Sequence, residues 1–129
     1  KRLIIELELD ELCVFLVHLS VKFRHRHAQL RHLFELIRHS TKPVIVAGDF
    51  NTFWGEHEMA LFMEATGLRS ANRHRLPSYP ARRPRIELDF ILYSRGIAID
   101  SFEVPDVTYS DHRPLICDFR VEGTERAAA

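Results

Sequence analysis

The stretch that most constrains this chain is Pro43-Val44-Ile45-Val46-Ala47-Gly48-Asp49-Phe50-Asn51. Val44 to Ala47 form a short apolar run rich in β-branched residues, which predicts a buried strand and is too short for an independent helix. Gly48 ends the run with a residue that admits backbone conformations closed to others, so the chain can turn and present Asp49 and Asn51 at the strand's C-terminal edge. Alternation sets those two polar side chains on one side and Phe50 on the other, toward apolar packing. A carboxylate beside a carboxamide suits a hard cation or a phosphate, since both offer oxygen and Asn adds N–H donors. The same pair after a strand also serves as a turn former.

The rest of the chain frames that strand. Leu3 to Leu9 and Leu12 to Leu19, separated by Asp10-Glu11, predict a β-hairpin. Its first arm alternates Glu6 and Glu8 with Leu7 and Leu9, while Leu12-Cys13-Val14-Phe15-Leu16-Val17 is nearly continuous and predicts a central strand covered on both faces. Between Val21 and His39, Leu30, Leu33, Phe34 and Ile37 recur at helical spacing, opposite Arg24, Arg31, His32, Glu35 and Arg38. This amphipathic helix, followed by Pro43, gives a strand, helix, strand unit whose strands can lie parallel. His25, His27, His32 and His39 belong to its solvent side. A loop, Thr52-Phe53-Trp54-Gly55, leads into a short helix from Glu56 to Thr66, closed by Gly67, with Leu61, Phe62 and Ala65 expected inward. Arg85 to Tyr93, Ile97 to Val104 and Arg113 to Val121 are the remaining strand candidates.

At 129 residues and 46% hydrophobic content the chain is a single globular domain, and no run approaches the roughly 18 apolar residues of a membrane span. Eighteen basic and 18 acidic residues cancel, which argues against a general polyanion binder. The charges are nonetheless segregated. Residues 68–84 form an irregular basic loop, with six arginines and no acid from Arg69 to Arg85, whereas Glu87 to Glu125 holds nine acids against three arginines. Cys13 and Cys117 lie in apolar runs, which predicts buried free thiols and favours a reducing, cytoplasmic setting.

Two further polar spots interrupt apolar strands. Asp89 stands inside Ile86-Glu87-Leu88-Asp89-Phe90-Ile91-Leu92, where burial demands a partner for its carboxylate. Tyr109-Ser110-Asp111-His112-Arg113-Pro114-Leu115 places an Asp-His pair just before the last strand. An imidazole held by a separate carboxylate can act as a general base near neutral pH, and Asp89 is the candidate orienting group for His112.

Gly48-Asp49-Phe50-Asn51, Leu88-Asp89-Phe90-Ile91-Leu92 and Ser110-Asp111-His112-Arg113-Pro114-Leu115, in that order and with Val17-His18-Leu19 upstream, resemble the endonuclease/exonuclease/phosphatase superfamily. These are metal-dependent phosphoesterases with a DNase I-like fold, an α/β (α+β) sandwich of mixed sheets flanked by helices. The match covers about residues 12 to 121. The resemblance implies that Asp49 and Asn51 position the attacking water and the scissile phosphate, that His18 hydrogen-bonds a phosphate oxygen, and that Asp89 orients His112. It also implies that Asp111 and Asp49 help hold Mg²⁺ or Mn²⁺, and that the reaction is in-line attack of water on a phosphoester. Arg82, Arg83 and Trp54 are candidate substrate contacts, the arginines through phosphate oxygens. Ser78-Tyr79-Pro80 resembles a substrate-loop motif of several members. None of these residues separates nucleic acid from inositol phosphate or lipid headgroup as substrate.

The chain also departs from the family. Members carry an N-terminal half that supplies the principal metal-ligating glutamate, and Glu6 and Glu8 stand too close before the His18 strand to be it. The expectation for residues 1–129 is therefore a single partial domain: a piece of a larger protein, or one of two copies that pair so that each covers the other's open sheet face. A non-catalytic association module is the competing expectation.

Overall fold

The computed structural model describes residues 4–53 and 56–123. Trp54 lies outside the described residues. The elements in chain order are β1 (Ile4–Glu8), β2 (Cys13–His18), α1 (Phe23–Arg38), β3 (Val44–Asp49), α2 (Glu56–Thr66), β4 (Arg69–Ser70), β5 (Asp89–Tyr93), β6 (Ile97–Glu103) and β7 (Ile116–Val121). The first five strands make one mixed sheet of order β1-β2-β3-β5-β4, and β6 and β7 form a separate antiparallel pair. As the helical crossover between them requires, β2 and β3 run parallel, and β5 lies antiparallel on the other side of β3. No helix of the described residues is long and apolar enough to cross a membrane.

The sheet has one dry face. Cys13, Phe15 and Val17 of β2, Val44 and Val46 of β3, and Phe90 and Leu92 of β5 pack against Leu30, Leu33 and Ile37 of α1 and Met59 and Phe62 of α2. Phe15, Leu33, Val46, Phe50 and Leu92 are fully buried there, each contributing about 1.5–3 kcal/mol by removal from water. The two helices are tied by a buried ion pair. Arg26 donates from Nε and Nη2 to the Glu58 carboxylate at 2.8 and 3.0 Å, and from Nη1 to the carbonyls of Ser20 and Val21. Removing either charge would strand the other, at a cost of about 3–5 kcal/mol.

The opposite face departs from the sequence expectation. It carries two cross-strand apolar rows, Ile5-Leu16-Ala47-Ile91 and Leu7-Val14-Ile45-Tyr93. The β6–β7 pair covers only part of them, through Ile97, Ile99 and Val121 against Ile45 and its neighbours. Leu16 and Leu7 remain 45% and 49% exposed, so β2 is central in hydrogen bonding yet only partly covered on its second face. The α2 phase also differs: Met59 and Phe62 point inward, whereas Leu61 is 66% exposed and Ala65 is exposed. An i, i+3 pair beginning at Met59 follows the helix turn, and Leu61 falls between its two members. Cys13 is buried as expected, but Cys117, on the thinly covered β7, is only half-buried; both are free thiols.

At Gly48 the backbone has φ +139, and a Cβ built there would collide with the Val17 carbonyl oxygen on the adjoining parallel strand. Gly67, with φ +76, has open space around it. Gly48→Ala should therefore cost more than about 3 kcal/mol in urea unfolding, because two strands must part. Gly67→Ala should cost about 1–2 kcal/mol, from backbone conformation alone. Similar costs for the two substitutions would contradict the close-approach argument.

Candidate active site

The polar residues singled out in the sequence gather where β2, β3 and β5 reach one sheet edge. His18 ends β2 and pairs in register with Asp49 at the end of β3, which in turn pairs directly with Asp89 at the start of β5. Beyond the last pair, Leu19 N–H donates to the Asp49 carbonyl and Phe50 N–H to the Leu88 carbonyl, so the edge stays hydrogen-bonded as the strands end. Phe50 then turns into the core against Phe62 and Phe90. Asn51 adopts φ +49, its N–H donates to Asp49 Oδ1 at 2.9 Å, and its Nδ2 donates to the Leu19 carbonyl at 2.8 Å. The turn expected at Gly48 thus falls later: β3 stays paired through Asp49, and the chain turns at Phe50 and Asn51, asparagine being one of the residues that tolerate the left-handed region.

His112 enters from the segment before β7. Its Nδ1 lies 2.7 Å from Asp89 Oδ2, the same oxygen that accepts the Ser78 hydroxyl at 2.7 Å. A carboxylate only accepts, so Nδ1 carries the proton and Nε2 faces outward, 3.8 Å from Asp49 Oδ2. His18 Nε2 stands 3.7 Å from that same oxygen. Both spacings exceed a hydrogen bond and suit a small bridging group. An open cavity of about 400 Å³ adjoins this point, lined by Gly48, Asp89, Tyr109, His112 and Arg113 and reaching Ala47 and Ile91 on the apolar face.

The electrostatics follow from the crowding of carboxylates. Burial pushes the Asp49 carboxyl above its ordinary value and the Asp89 charge adds to this, while the Asn51 N–H and the two histidines pull the other way. For His112, burial is the largest single influence and would push it down, but the hydrogen bond to Asp89 and the charges of Asp89, Asp49 and Asp111 together hold it above 6.5.

Among the described residues, Asp49, Asp89 and His112 form the group whose ligand atoms lie within 4.8 Å of one another and could hold a metal ion. Asp89 Oδ2 already accepts two hydrogen bonds, so the oxygen best placed for a cation is Asp49 Oδ2. One carboxylate oxygen, with imidazole nitrogens beside it, fits a cation that keeps most of its own water. Asp111 is not part of this group: its side chain is exposed, and its backbone carbonyl accepts Ala81 N–H at 2.8 Å. Arg82 and Arg83 are exposed on the adjoining turn.

Ser78 and Tyr79 carry more of the site than their sequence context indicated. Ser78 is fully buried, and besides donating to Asp89 it accepts the Asp89 N–H at 3.3 Å. The Tyr79 ring lies 4.9 Å from the His112 ring and 5.7 Å from that of Phe53. The basic loop is docked here by backbone bonds, Arg113 N–H to the Ser78 carbonyl and Ala81 N–H to the Asp111 carbonyl, both 2.8 Å. A motif with Ser between two prolines was the available signal; its pairing with Asp89 depends on this long-range docking.

Because the folded protein holds the His112 proton more tightly than the unfolded chain does, this group stabilises the fold below about pH 6.5, and the contribution fades as pH rises through the higher folded value. In an NMR titration His112 should give an apparent pKa above the ordinary histidine value of about 6.5. Asp89→Asn should bring it to or below that value, since burial then acts with one less opposing charge. An unchanged titration in the variant would remove Asp89 as the cause.

Comparison with known proteins gives one family. The family model for the Endonuclease/Exonuclease/phosphatase family matches residues 4–112. A UPF0294 protein of Vibrio cholerae serotype O1 (strain ATCC 39315) is 39% identical over 97 residues, which make up 72% of this chain and 33% of that protein. Among solved structures, a functionally unknown conserved protein from Enterococcus faecalis V583 superposes with a TM-score of 0.72 at 21% identity, covering 86% of this chain and 50% of the other. TDP2 of D. rerio, complexed with single strand DNA product, superposes with a TM-score of 0.71 at 19% identity, covering 93% and 61%. At these identities the superpositions speak for the fold, which is the DNase I-like arrangement, and the chain spans a third to three fifths of these proteins. With the family model matching most of its length, the chain belongs to the endonuclease/exonuclease/phosphatase family.

Proposed function

We propose that this chain carries the β3–β5 wall of a phosphoesterase site and that the site hydrolyses a phosphoester by in-line attack of water. The observation that carries the reading is the Ser78–Asp89–His112 chain, with both hydrogen bonds at 2.7 Å, aiming His112 Nε2 at the space beside Asp49. Asp89 fixes the tautomer and orientation of His112. Its raised proton affinity favours the imidazolium, which donates from Nε2 to a phosphoryl oxygen. Asp49 Oδ2 faces the same space and accepts a hydrogen bond from the attacking water, while Asn51 holds the turn beside the phosphate position through its N–H to Asp49 Oδ1 and its Nδ2 to the Leu19 carbonyl. His18, half-exposed at the rim, contacts a second phosphate oxygen. Mg²⁺ or Mn²⁺ held on Asp49, with Asp111 contributing through its charge, would offset the negative charge of the phosphoryl group. Arg82 and Arg83 meet substrate phosphates from the loop. The family membership supports this reaction class, and the substrate is a phosphate ester of the nucleic-acid, inositol phosphate or lipid-headgroup kind.

Excess Mn²⁺ or Mg²⁺ should raise the melting temperature by about 10 °C, corresponding to about 2–3 kcal/mol near 100-fold saturation, and Asp49→Asn should abolish the rise. With metal, bis(4-nitrophenyl) phosphate or 4-nitrophenyl phosphate should be hydrolysed, and His112→Ala should lower the rate by about 10²–10³-fold. If metal neither stabilises the chain nor supports hydrolysis of either ester, the catalytic reading of this chain fails.

A second reading, an association module, is favoured by the half-exposed rows through Leu7 and Leu16. Two copies meeting on this face would elute as a dimer in size-exclusion chromatography with light scattering, and Leu16→Lys should convert them to monomers. A well-dispersed wild-type monomer across micromolar concentrations would exclude pairing.

A further inference from the structure

A second cavity, of about 930 Å³, lies between α2 and the segment from Ser70 to Glu87, on the side of Phe53 and Tyr79 away from His112. Its floor is apolar, made by Met59, Met63 and Phe90. Its other wall is charged, made by Arg75, Arg85 and Glu87. Asn72, 2% exposed, builds that wall: its Nδ2 donates to the Leu76 carbonyl and to Glu87 Oε2, and its Oδ1 accepts the Leu76 N–H at 2.9 Å. The turn so closed holds Arg75 at φ +54, a conformation rare for a long side chain, with Nε 3.5 Å from Glu87 Oε1. Two guanidinium groups against one carboxylate leave the wall with one net positive charge. A positive wall over a methionine floor matches an amphiphilic anion, since thioether side chains adapt to varied apolar shapes and arginine binds phosphate through a fork of donors.

The cavity also lies within reach of the candidate active site. Thr52 in its lining is bonded to Asn51, and Glu87 precedes Asp89 by two residues, about 7 Å of extended chain. The Phe53 and Tyr79 rings form the ridge between the two places. A phosphoester with its reacting phosphate at Asp49 and His112 can lay its organic part across this ridge.

We infer that this cavity is a leaving-group subsite, which takes the non-reacting part of the substrate: an apolar body bearing a second phosphate. The inference rests on the phosphoesterase reading, which supplies the first phosphate position. Arg85 and Arg75 meet the second phosphate, Met59 and Met63 the hydrocarbon between.

Two probes with hydrolysis-resistant C–P bonds test it by NMR titration of the 129-residue chain in Mg²⁺: methylphosphonate and hexane-1,6-bisphosphonate. The bisphosphonate should bind at least about ten-fold tighter and shift amides of residues 57–63 and 70–76 as well as those of Asp49, Asp89 and His112. Ala60→Trp, at an exposed helix position lining the cavity, and Arg85→Gln should each cut that advantage to about two-fold, the statistical value for two equivalent ends, while methylphosphonate binding stays unchanged. A wild-type advantage of only about two-fold, or a larger one that survives both substitutions, overturns the subsite. Failure of the phosphoesterase reading looks different: methylphosphonate would leave Asp49, Asp89 and His112 unmoved while the bisphosphonate still shifted residues 57–63. If the bisphosphonate moves neither set of amides, both readings fall.

Discussion

Asp49 and Asp89 stand directly opposite each other across β3 and β5. Like charges in that relation repel, and partial burial of both removes much of the solvent that would screen them. The arrangement persists because donors surround it: the Asn51 N–H on Asp49, the Ser78 hydroxyl on Asp89, and the His112 ring reaching from one carboxylate toward the other. Each of these donors is delivered by a different segment. The carboxylate pair therefore explains why the turn after β3, the basic loop and the segment before β7 all converge on one sheet edge.

Much of this was legible in the sequence, for identifiable reasons. The run from Val44 to Ala47 is short, β-branched and closed by glycine, so its strand and turn are local properties. The spacing of Leu30, Leu33 and Ile37 likewise fixes the face of α1. Asp89 announced itself as a carboxylate in apolar surroundings, whose burial had to be compensated. What stayed hidden depends on contacts between distant segments. Nothing near Ser78 tells that its hydroxyl meets Asp89, because that bond exists only once the loop is docked on residues 111–113. Leu16 reads as core from its neighbours, yet its exposure is decided by how far β6 and β7 extend over the sheet. No residue near Arg26 in the sequence marks it as buried; only the approach of α2 supplies Glu58 and buries it.

The open sheet face and the first cavity are not separate features. Ala47 and Ile91 belong to the apolar row that runs to Ile5 and Leu16, and they also form the floor of the cavity beside His112. Any surface that settles on those rows comes down at the mouth of that cavity and changes its volume, its dielectric and its access to water. Occupancy of the cavity and coverage of the sheet are thus thermodynamically linked, and linkage is reciprocal: whatever factor the covering surface applies to ligand affinity, the ligand applies to affinity for the covering surface. In this fold, a surface laid on those rows would act as an effector of the site.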